Sequence, residues 1–126
     1  MDKKVISTAG APAAIVPYSQ AISAGGFVFA SGQLPIDPAT GTMPEDITGQ
    51  THQSLKNLKA ILEEAGSSLA GVVKTTVFIN DIANFGEVNS VYAQYFTEDF
   101  PARSCFEVSA LPKGALIEVE AVAVKQ

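Results

Sequence analysis

The stretch VVKTTVFINDIANFGEVNSVYAQYF, residues 72–96, decides the fold, because two different periods meet within it. From Val72 to Asn80, the residues Val73, Thr75, Val77 and Ile79 alternate with Lys74, Thr76 and Phe78, a β-branched run with the period of two that a strand needs. Asn80-Asp81 ends the strand. From about Asn84 to Phe96 the period lengthens, and Phe85, Val88, Tyr92, Tyr95 and Phe96 fall on one side of a helix.

Upstream, Asp46 is a good N-cap for a helix carrying Ile47, Leu55, Leu58, Ile61, Leu62 and Ala65 as its apolar stripe, and Gly66 stands at the C′ position. Before it, Val5 to Thr8, Ser19 to Ser23 and Phe27 to Gly32 read as a meander of short strands. The last two are separated by Ala24-Gly25-Gly26, suited to a tight turn. Leu34 to Glu45, with Asp37-Pro38-Ala39-Thr40-Gly41 inside it, reads as a surface loop. Downstream, Arg103 to Ala110 and Leu116 to Val124 read as two strands of a closing hairpin joined through Leu111-Pro112-Lys113-Gly114. The order ββ(β)αβαββ predicts a single α+β domain over residues 1–126, a mixed sheet with two helices on one face. Nothing is left in the chain to cover the other face. Packing sheet faces between subunits around a common axis would bury it, and sites would then form where subunits meet.

The chain has 126 residues, 47% hydrophobic and 17% charged, which bounds it to one compact unit rather than a disordered segment. Its mean hydropathy of +0.22 leaves apolar side chains to spare for a subunit interface. A net charge of −5, with no Lys/Arg cluster, repels phosphate backbones and argues against a nucleic-acid partner. The segment after Lys3 and Lys4, Val5 to Gly10, is too short and polar for a signal sequence, and no apolar run reaches membrane-spanning length, so a cytoplasmic protein with no membrane partner is expected. One cysteine and one histidine, His52, give neither a disulfide nor a metal cage. Neither metal nor cofactor is expected.

Chemistry must therefore run on oxygen and guanidinium groups. The only arginine, Arg103, lies in Phe100-Pro101-Ala102-Arg103-Ser104-Cys105-Phe106-Glu107-Val108, beside the only cysteine. A planar fork suits bidentate capture of a carboxylate, which Lys cannot reproduce; the competing reading is a strand arginine paired with a nearby Glu. Alternation puts Arg103, Cys105, Glu107 and Ser109 on one side of their strand, and Glu118 and Glu120 on one side of theirs with Leu116, Val122 and Val124. Two carboxylates on an otherwise apolar face mean either a functional group or the charged guard of an exposed edge strand, and for Glu120 the two are evenly matched. Cys105 has no neighbouring histidine to lower its pKa and reads as a small apolar residue. His52 reads as a solvated residue on the polar side of its helix. Ser31-Gly32-Gln33 offers backbone N–H groups at a strand end, Tyr18 fits strand packing, and Asn89 fits a satisfied buried amide.

Ala11 to Ile15, Tyr18-Ser19-Gln20, Ser31 to Pro35, Val73 to Phe78, Val88 to Tyr92, Pro101 to Cys105 and Ile117 to Ala121, in this order, resemble the RidA/YjgF family of reactive-intermediate deaminases over essentially the whole chain. The resemblance implies a chorismate-mutase-like subunit, a barrel-like homotrimer with three clefts between neighbours, and hydrolysis of 2-imino acids to 2-keto acids and ammonia. It places the carboxylate-binding arginine on Arg103 and the water-positioning glutamate on Glu118. The backbone carbonyl that helps hold the water falls on Cys105, a cleft tyrosine on Tyr18, an assisting backbone amide on Gly32 and a pocket asparagine on Asn89. The chain departs from the pattern at Val16, where many members have Gly, and in a shorter segment between Phe96 and Pro101. Rival functions are RNA cleavage or translation inhibition, also ascribed to this family, and a chaperone-like binding role. The acidic charge and the absence of a histidine pair weigh against the first.

Overall fold

A computed structural model describes residues 2–126. Six strands, β1 (Lys4–Ile6), β2 (Ala21–Ala24), β3 (Phe27–Gln33), β4 (Val72–Ile79), β5 (Ala102–Glu107) and β6 (Ile117–Val124), form one sheet in the order β1-β2-β3-β6-β4-β5. Only β4 and β5 pair in parallel, joined by the crossover helix α2 (Phe85–Tyr95); the other pairs are antiparallel. The expected α+β architecture with a mixed sheet is present.

The longer helix, α1 (Ile47–Glu64), starts where Asp46 accepts a hydrogen bond from the Gly49 N–H at 3.0 Å, and it gives way to Gly66 at a φ of 81° that other residues avoid. Its stripe of Leu55, Leu58, Ile61 and Leu62 is fully buried against Val28, Val77, Ile79, Ile117, Val119 and Ala123, so the core lies between the helices and one sheet face. The β2–β3 turn uses Gly25 and Gly26, both at positive φ, the backbone of a tight hairpin.

Several expectations are corrected. Strands β5 and β6 do not form a hairpin: β6 runs between β3 and β4, and β5 lies beyond β4 at the edge. The burial pattern gives the reason. Ile117, Val119, Ala121 and Ala123 are all buried on one side of β6, as a central strand requires, whereas β5 has no fully buried residue. Glu120 therefore does not guard an edge. The first two strands also begin or end two residues from their expected limits, because the Gln20 side chain takes over the backbone there. Its amide accepts from Thr8 N–H at 2.7 Å and donates to the carbonyls of Thr8 and Pro12.

Two more buried amides fix the long loop. Asn57 donates to the carbonyls of Leu34 and Ile36, and Gln50 donates to the carbonyl of Pro44 while accepting from Leu116 N–H at the entrance to β6. His52 is not merely solvated: its Nδ1 lies 2.7 Å from the Tyr95 hydroxyl and ties α1 to α2.

Among the described residues, none forms a layer over the second sheet face. Phe29 is 47% exposed and Phe106 53% exposed there, Phe106 stacks on Phe78 with ring centroids 6.5 Å apart, and Lys74, Thr76, Glu118 and Glu120 share the surface. So much exposed aromatic area on one face is the mark of an interaction surface. No helix among the described residues is long and apolar enough to cross a membrane.

Candidate functional site

Arg103 lies on the edge strand β5 in register with Thr75 of β4, on the side that carries the helices. Its Nη1 donates to Asn89 Oδ1 at 2.7 Å, its Cζ lies 4.8 Å from the centre of the Tyr92 ring and 5.4 Å from that of Phe85. Residues 85, 89 and 92 are spaced along one face of α2, so a single helix supplies the whole cradle. The arginine is not paired with a strand glutamate: its one hydrogen bond among the described residues goes to a neutral amide, and Glu107 instead accepts from Ile82 N–H at 2.8 Å. A guanidinium has five donors, so most of this one stays available to a ligand. A concavity of about 290 Å³ opens there, lined by Asn89, Tyr92, Ala93, Phe100, Pro101 and Arg103.

Cys105 shares this side of β5 and packs against the core. Burial pushes its thiol above the usual range, partly opposed by the Arg103 charge, so the sulfur stays protonated at neutral pH. Its strand is an edge strand, whose outer row of N–H and C=O groups has no partner within the sheet.

Glu118 belongs to a different group. It lies on the uncovered face of β6, beside Phe78 of β4, and its side chain covers Gly32 on β3. A Cβ added at Gly32 would collide with the Glu118 carboxylate, so the glycine is a seat that only a missing side chain leaves open. The register of β3 against β6 shifts between Ala30 and Gln33, and this bulge brings Gly32 to the carboxylate. Burial raises the Glu118 carboxyl above the ordinary carboxylate range, and the nearby Glu120 adds to the effect. A half-buried carboxyl displaced in this way is suited to exchanging a proton with a bound water. Glu120 is exposed and borders a separate concavity of about 200 Å³ with Phe29, Lys74, Thr76 and Val122. Tyr18 is 49% exposed, in a loop held to the same end of β3: the Ser31 hydroxyl donates to the Ser19 carbonyl at 2.6 Å, and Ser31 N–H to the Gln20 carbonyl.

Within one chain the six candidate residues thus form two groups. Asn89, Arg103 and Cys105 lie on the helix side of the β5 edge; Gly32 and Glu118, with the Tyr18 loop alongside, lie at the other face of β3 and β6. Register puts Glu118 level with Phe106, three residues beyond Arg103 and two strands away, so their Cα atoms are ~14 Å apart, with side chains on opposite faces. No single water reaches both.

Sequence periodicity assigns Phe85 and Tyr92 to helix packing, and does not reveal that they flank the arginine. The spacing 85, 89, 92 is the signal, visible once β5 is known to pack beneath α2. Gly32 as a seat for Glu118 has no sequence signal, since it rests on a bulge.

The family model described as Endoribonuclease L-PSP matches residues 8–125. The chain is 52% identical to the 2-iminobutanoate/2-iminopropanoate deaminase of Salmonella typhimurium over 126 residues, 98% of each chain. Among solved structures it is similar to a Rid-family protein of unknown function from Yersinia pestis, with a TM-score of 0.95 and 55% identity over 98% of this chain and 99% of that one. It is also similar to E. coli TdcF with bound serine, with a TM-score of 0.94 and 46% identity over 98% of this chain and 99% of that one.

Proposed function

From the premise that this chain belongs to the RidA/YjgF family, whose model covers residues 8–125, we propose that it hydrolyses 2-imino acids to 2-keto acids and ammonia, within a single domain acting in the cytoplasm. The observation that carries this reading is Arg103, the only arginine, cradled by two aromatic rings and a neutral amide with donors to spare. The bidentate fork grips the substrate carboxylate and holds the C=N carbon at a fixed distance from it. Glu118 holds a water, with the Cys105 carbonyl as second acceptor, and takes a proton from it as the oxygen adds to the C=N carbon. The nitrogen receives that proton, which completes a tetrahedral amino alcohol; Glu118 then carries the hydroxyl proton to the nitrogen as the C=O forms, the C–N bond breaks and ammonia leaves. Asn89 steadies Arg103, the Gly32 backbone amide assists at the reacting centre, and Tyr18 lines the cleft. The balance is imino acid plus water giving keto acid plus ammonia, with no electrons exchanged.

The separation of Arg103 from Glu118 supports an assembly in which one copy supplies Asn89, Arg103 and Cys105 and its neighbour supplies Gly32, Glu118 and Tyr18. The exposed aromatic face supports the same assembly, and a ring of three closes it. The deaminase named among the relatives and the amino acid bound in a related structure are in keeping with a small carboxylate substrate. RNA cleavage, which the family model's description carries, is disfavoured by the net charge of −5.

The test adds the protein to a pyridoxal-phosphate dehydratase acting on serine or threonine and follows ammonia and keto acid. Release faster than the uncatalysed decay of the imine is expected for the wild type and lost in Arg103→Lys, which keeps the charge without the fork. An unchanged rate of release with the wild type sinks the proposal.

A further inference from the structure

The Arg103 cradle has a second layer that the proposed reaction does not use. The Tyr92 hydroxyl lies 2.8 Å from Thr75 Oγ1, in a hydrogen bond buried between α2 and β4. Thr75 has no exposed surface and is the residue that β4 sets beside Arg103 in the parallel register. Tyr92 is 7% exposed and its ring also packs on Phe96, with centroids 4.5 Å apart. The ring beneath the guanidinium is thus held at its rim by the side chain next to the arginine and at its face by Phe96.

We propose that Tyr92, locked by Thr75, is a positioning residue that sets the Arg103 guanidinium for a substrate carboxylate before the substrate arrives. This deepens the imino-acid reading and rests on it for the identity of the ligand. An arginine side chain has several rotatable bonds, and ordering them on binding costs affinity; a platform that orders them beforehand removes that cost. Asn89 fixes one nitrogen of the fork. The ring fixes its position, by attraction between the cation and the π face. Because the carboxylate is gripped equally in ground and transition states, loss of the platform raises KM and leaves kcat nearly unchanged.

Two measurements on the full chain test this: steady-state kinetics with 2-iminopropanoate generated in situ, and calorimetric binding of 2-oxobutanoate, which carries the same carboxylate without turnover. Tyr92→Leu should raise KM and weaken 2-oxobutanoate binding, each by roughly 2- to 30-fold, the range of a cation–π contact, with kcat changed less. Tyr92→Phe keeps the ring but removes its tie to Thr75, and should bind measurably more weakly than the wild type though more tightly than Tyr92→Leu. Thr75→Val should match it, and the double variant should be no worse than either single one, since each removes the same hydrogen bond. The proposal is overturned if Tyr92→Leu binds and turns over like the wild type, if it lowers kcat at constant KM, or if the Phe and Val effects multiply. Should Tyr92→Leu fail to fold, the Phe and Val variants decide, and unchanged affinity in both overturns it. A wild type without deaminase activity removes the proposed function, yet 2-oxobutanoate binding still tests the cradle. Failure of the wild type to bind it overturns the positioning role too.

Discussion

Mixing two inactive variants tests whether the site is shared between chains. Arg103→Ala removes the carboxylate anchor and leaves Glu118 on its Gly32 seat; Glu118→Gln removes the carboxylate and leaves the anchor in its cradle. Each variant alone should lose at least the ~10²–10⁴ in rate that a general acid–base group supplies. The two positions are ~14 Å apart on opposite sheet faces, so one chain cannot join them, whereas a neighbour can. In a ring of three built at random from equal amounts of both variants, a given interface receives an intact Arg103 with probability one half and an intact Glu118 with probability one half. Activity should therefore return to about one quarter of the wild type, and to about one third in mixed rings isolated through a different tag on each variant. The assay is coupled keto-acid release from co-expressed, doubly purified protein. A mixed preparation no more active than its parents would show that each site lies within one chain.

Gly32→Ala should keep the fold, because the atoms its Cβ meets belong to the flexible end of Glu118, yet it should displace that carboxylate and cost most of kcat; retention of wild-type kcat would exclude the seat. Glu118→Gln should melt higher than the wild type at pH 7. Burial raises the folded-state pKa of Glu118, so its contribution to stability is full below the unfolded value of ~4.3 and lost as pH rises through the raised one; the difference in Tm should therefore close in acid, and a gap constant from pH 4 to 8 would refute it. Cys105→Ala should retain most activity, since the thiol is held protonated and the backbone carbonyl survives; a loss as deep as that of Arg103→Ala would reveal a working sulfur. Light scattering should report a mass well above the 13.1 kDa of one chain at micromolar concentration, and a monomer would remove the shared site altogether.

The parts of the fold that local chemistry dictates were legible: the Asp46 cap, the Gly66 stop, the Gly25-Gly26 turn and the alternation of β4 from Thr75 onward appear where the residues put them, whereas Val73, expected beside Thr75, is exposed because the register against β6 shifts between Val72 and Lys74. What local chemistry leaves open is which strands meet. The loop from Leu111 to Gly114 looks like a hairpin connection, but the buried side of β6 wins it a central place between β3 and β4. The same limit hid the division of the site. Alternation tells which residues share a side within β5 or within β6, but the relative phase of the two strands is set through β4, and that phase puts Arg103 and Glu118 on opposite faces. His52 was legible as polar but not as a partner of Tyr95, which lies on another helix.

The loop between β3 and α1 takes its course from outside itself. Asn57 and Gln50 hold it through the main-chain carbonyls of Leu34, Ile36 and Pro44, and those carbonyls are present whatever side chains the loop carries. The outer turn around Asp37 to Thr42 is accordingly free to be rewritten, or to accept an inserted epitope or fluorophore, while the route of the backbone persists. The genetic tolerance of the two regions should be opposite to what their surfaces suggest: variable sequence in the visible loop, and little freedom at two buried amides.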